Sequence, residues 1–185
     1  MAYLIRKFSK GKWILSQQNP SCIDLKRLPA DALTSCMRTS GNTLSVWYSE
    51  HPEWELMKPI LASLFSSTDA PSKTDVIILE EDFFTNNGFT LIEKPGVTPA
   101  NDNVNKLHRD IANLNYGSLG LCAEEIARGI LIAEAEAEAE VPSDLRVKRF
   151  NEKMVIDIVK EAVSSGVVVV DKLKEPWKIK LGYVT

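Results

Sequence analysis

Groups able to act as nucleophiles or general bases are few in this chain. Its two histidines are His51 and His108, and its three cysteines are Cys22, Cys36 and Cys122. Partners in Cys–His or Ser–His chemistry meet in space rather than in sequence, so nucleophilic hydrolysis stays open as a class. The local context favours a quieter role. His51 precedes Pro52 at an expected helix entry, and His108 sits in Leu107-His108-Arg109-Asp110 at the edge of an apolar stripe. Both are read as structural or surface groups. The cysteines lie 14 and 86 positions apart, are odd in number and form no CxxC unit. That spacing fits neither a disulfide framework nor a zinc site, and small buried hydrophobes is the reading it favours. No GxSxG, HExxH or P-loop pattern occurs.

Two acidic stretches stand out. Glu80-Glu81-Asp82 follows the apolar run Val76-Ile77-Ile78-Leu79. Carboxylates past the end of a strand suit metal or acid–base chemistry, but a helix opening there also wants acidic residues in its first turn, and that is the expectation. The second stretch alternates Ala with Glu134, Glu136, Glu138 and Glu140. On a helix these are like-charge pairs one turn apart at the negative end of the macrodipole. The expected counter-charges are Arg146, Lys148, Arg149 and Lys153 on a following helix, packed antiparallel after a Val141-Pro142 turn. A site for a basic partner is the alternative.

Lys172, Lys174, Lys178 and Lys180 alternate with apolar residues around Trp177. On a half-buried hairpin they would be its solvent face or would protect an open edge. A helix followed by a basic two-stranded wing also meets DNA in some proteins, which makes them the candidate nucleic-acid residues. Gly117-Ser118-Leu119-Gly120 opens a helix and is weak as an anion cradle.

The elements that must position these groups follow from periodicity and punctuation. Leu4–Phe8, Thr43–Tyr48, Asp75–Leu79 and Phe89–Glu93 read as strands, the last after an Asn86-Asn87-Gly88 turn. A helix is expected over Ala32–Arg38 with Asp31 as its cap, and another within His51–Phe65 that Pro59 kinks or delays. Lys94–Asn103, with two prolines and a glycine, is the best candidate boundary. It divides the chain into a mixed α/β subdomain at 1–97 and a helical subdomain with C-terminal strands at 98–185, with apolar stripes that favour one shared core. Beyond it, helices are expected over Asn103–Asn115, Ser118–Glu140 and Ser143–Ser164. A β-branched run follows at Val167–Val170, then two closing strands around Glu175-Pro176. The fold class is α+β: mixed short strands and helices in the N-terminal half, and a helical layer with a small terminal β-hairpin in the C-terminal half.

With 185 residues, 44% hydrophobic and 25% charged, the chain has the composition of a folded globular protein. No apolar run approaches the roughly 20 residues of a membrane span. The N-terminus lacks the apolar core of a secretory signal, so the cytoplasm is expected. The net charge of −3 divides unevenly: residues 1–50 hold seven Lys/Arg against three Asp/Glu, and residues 51–100 hold three against eight. These features lead to the expectation of a non-catalytic cytosolic interaction protein without a cofactor, binding a protein partner or a second copy of itself. Its docking surface would be the acidic middle or the Glu134–Glu140 run. The two alternatives are DNA binding through the C-terminal lysines, and a small hydrolase using a carboxylate-held metal or Cys–His chemistry.

Overall fold

A computed structural model describes residues 2–16, 18–138 and 146–184. Strands β1 (Tyr3–Phe8), β2 (Leu44–Ser49), β3 (Thr74–Glu80), β4 (Thr90–Glu93), β5 (His108–Ala112) and β6 (Val147–Phe150) form one sheet in the order β4-β5-β2-β1-β3-β6. Every neighbouring pair is antiparallel. The architecture is α+β. Strands from before and after residue 97 share this sheet, because β5 lies between β4 and β2.

Helices cover both faces. On one side, α1 (Ala30–Cys36), the long α5 (Tyr116–Glu138) and the segment bearing Trp13, Leu15, Ile23 and Leu28 bury Leu4, Phe8, Leu44, Val46, Ile77, Leu79 and Ile111. On the other, α2 (Lys58–Ser66), α4 (Asp102–Asn105), α6 (Glu152–Ser164) and α7 (Glu175–Leu181) bury Ile5, Trp47, Val76, Ile78 and Phe150. Coverage on both sides explains the unbroken apolar run Val76–Leu79, since β3 faces a core with every residue rather than every second one. The short α3 (Glu81–Asn86) follows β3 directly, with Glu81 and Asp82 in its first turn as expected. Gly129 lets α5 lie close on β3: a Cβ there would stand 3.2 Å from the Ile77 Cδ1.

Four expectations for the C-terminal half are corrected. No terminal hairpin forms, because Trp177–Leu181 belongs to α7. Pro176 occupies its first turn, where a missing N–H costs nothing, and Gly182 ends it at φ 79°. The alternation of Trp177, Ile179 and Leu181 misled, since Ile179 is exposed while Trp177 is fully buried with its indole N–H donating to the Thr68 carbonyl at 3.1 Å. The expected helix over Asn103–Asn115 is instead α4 followed by β5, where pairing to strands on both sides outweighs a helical stripe. Of the helix expected over Ser143–Ser164, residues 143–145, like the Val141-Pro142 turn before them, lie outside the described residues, and α6 itself begins at Glu152, capped by Asn151, whose side chain accepts from the Met154 N–H at 2.9 Å. Residues 147–150 pair with β3 instead. Val167–Val170 forms no strand; Val168 makes a single bridge to Ala100.

Candidate functional site

The residues that sequence singled out for catalysis do not converge. Cys22 is exposed, whereas Cys36 and Cys122 are buried in the core between α1, α5 and the sheet. There they flank Arg6, whose guanidinium donates to the carbonyls of Cys36 and Ser45 and whose pKa burial lowers to about 10. Burial pushes the Cys122 thiol up to about 12, the wrong direction for a nucleophile. His51 is exposed, and its backbone N–H donates to the Ser49 hydroxyl at 3.2 Å. His108 lies on the opposite sheet face from the two buried thiols, edge-on to Trp47 at 5.3 Å between ring centroids. Its Nδ1 is 2.6 Å from the Lys94 carbonyl and its Nε2 is 4.0 Å from Asp110. The Asp110 carboxylate accepts from Lys94 Nζ at 3.0 Å and from the Ser45 hydroxyl at 3.1 Å. Burial alone would raise its pKa, but the bonds from Lys94 and Ser45 outweigh that and hold it below the usual carboxylate value. This cluster ties β4, β5 and β2 together.

The acidic and basic stretches are also largely engaged within the chain. Glu80 pairs with Arg146 at 2.6 Å. Among the described residues no group of three or more His, Cys, Asp or Glu is placed to hold a metal. Glu134, Glu136 and Glu138 occupy the last turn of α5, and Glu140 lies outside the described residues. Glu134 pairs with Lys10 at 3.2 Å. Two of the expected counter-charges are spent elsewhere: Arg149, on β6, pairs with Asp75 at 2.7 Å, and Arg146, just before β6, with Glu80. Of the candidate nucleic-acid residues, Lys174 pairs with Asp69, Lys180 with Glu152 at 3.0 Å, and Lys178 donates to the Asp171 carbonyl at 3.2 Å. Lys172 and Lys174 border a cavity with Ser66, Ser67 and Thr98 at the C-terminal end of α2, where cations complement the helix carbonyls.

A feature that single-residue motifs could not announce runs between α2 and α6. Pro59 fixes the start of α2 just after Met57, and Asn151 fixes the start of α6. That phase turns Val155, Val159 and Ala162 into the core and leaves Met154 and Ile158 along the seam with α2. The result is a groove of two adjoining cavities of about 230 Å³ each. Leu61 and Phe150 lie in one, with Trp54 stacked edge-on against Phe150 at 5.7 Å between centroids. Ala162, Ser165 and Val167 line the other. Glu55, Lys58, Ile158 and Glu161 border both. Lys58 spans the groove between them, with Nζ 2.8 Å from Glu55 and 3.3 Å from Glu161. Donating hydrogen bonds to these two carboxylates raises the Lys58 pKa, and Lys58 in turn lowers that of Glu55. Asp157 and Lys148 complete a mixed rim of three carboxylates and two lysines. The trace of this site in the sequence was the acidic middle of the chain together with Met154 and Ile158 at four-residue spacing.

No protein-family model matches the chain. No curated protein matches it, and no solved structure does. Among the described residues no helix is long and apolar enough to cross a membrane.

Proposed function

We propose that this is a non-catalytic interaction protein that docks a segment of a protein partner in the groove between α2 and α6. The observation that carries the reading is the groove itself, two contiguous cavities with apolar walls from Leu61, Phe150, Met154 and Ile158 under a charged rim. Concave apolar surface with a polar border is the form that recognition grooves take, since the walls supply burial and the rim supplies orientation. The acidic middle of the chain contributes Glu55 to that rim. Three free thiols, one of them exposed, suit a reducing compartment, and the cytosol is the proposed location.

The test is co-purification from the native source with wild-type protein and two sets of variants, all checked for unchanged circular dichroism. Met154→Lys with Ile158→Lys is expected to release the bound protein. Glu134→Gln, Glu136→Gln and Glu138→Gln together are expected to retain it. The opposite pattern would move the docking surface to the end of α5 and overturn the groove.

A further inference from the structure

We draw no further inference here: the strongest candidate, the open edge of the sheet along β4 with its exposed Ile92, carries nothing because the structure does not show what would pair with it, and a strand of four residues followed by Lys94-Pro95 has the features that keep a sheet edge unpaired.

Discussion

Asp110 is 3% exposed, yet it is an ion, because Lys94 and Ser45 supply the hydrogen bonds that water would otherwise give. Asp110→Asn is expected to cost about 1–3 kcal/mol at neutral pH, the value of hydrogen bonds to a buried charge. Since the folded pKa lies below the ordinary 3.8, the stabilisation is complete above the unfolded value and is lost as pH falls through the folded one. The gap between wild type and Asp110→Asn in urea unfolding should therefore be constant from pH 7 to 5 and close below about pH 4. Arg6 is the converse, a half-buried cation whose acceptors are two main-chain carbonyls at the end of α1 and on β2. Arg6→Met removes the fork and leaves those carbonyls unpaired, for a loss of about 1–3 kcal/mol each where they stay dry, measurable in the same unfolding experiment. Neither role was legible in the sequence. Asp110 was noted only as a neighbour of His108, and Arg6 only counted among the seven Lys/Arg of residues 1–50. Long-range partners such as Ser45 with Asp110, or Arg6 with Cys36, leave no mark at fixed spacing. The burial of Cys36 and Cys122 was legible in their reading as small apolar residues, whereas Cys22, read the same way, is exposed.

Elements with a clear alternation or helical stripe in their own residues were easier to read than those whose conformation is decided by a distant neighbour. β1, β2, β3 and β4, α1, and the delayed start of α2 at Pro59 all fall close to where alternation and punctuation put them, although Asp31, expected to cap α1, lies within its first turn and Pro29 holds the cap position. α5 likewise follows its stripe of Leu119, Cys122, Ile126 and Ile130. The failures share one cause: β5 and β6 take their conformation from the strands beside them, and the helical spacing of Leu107 with Ile111, or of Phe150 with Met154, is weaker than a row of sheet hydrogen bonds. At α7 the helix signals were present in Pro176 and Gly182 and were outweighed by a short alternation. Two measurements check the assignment at this scale. Asn151→Ala should destabilise the protein by about 1 kcal/mol through loss of the α6 cap, with an unchanged urea m-value. Trp177→Ala should cost about 3–5 kcal/mol, the range for emptying a buried aromatic site, whereas Ile179→Ala on the exposed side of α7 should change the unfolding midpoint little. A hairpin would make both inward-facing and equally costly.

For the molecule as a whole, the sheet is the rigid frame, with β1 and β3 at its covered centre and β4 at an edge whose residues are mostly exposed. Amide hydrogen exchange should follow that order, slowest in β1 and β3 and faster in β4. The fold class was legible because strand and helix patterns alternate along the chain, whereas the groove was not, since it belongs to the phase of two helices about a hundred residues apart. That frame holds α2 and α6 packed against each other, with two cavities along the surface of their seam. The most direct measurement is site-specific photocrosslinking in living cells of the native source, with a benzophenone side chain at position 158 in the groove and, in a second protein, at the exposed position 116 on the opposite face of the sheet. The docking account expects one protein adduct of defined mass at position 158, none at 116, and loss of the adduct when Met154→Lys is added. An adduct at 116 with none at 158, or an adduct at 158 that survives Met154→Lys, would contradict it.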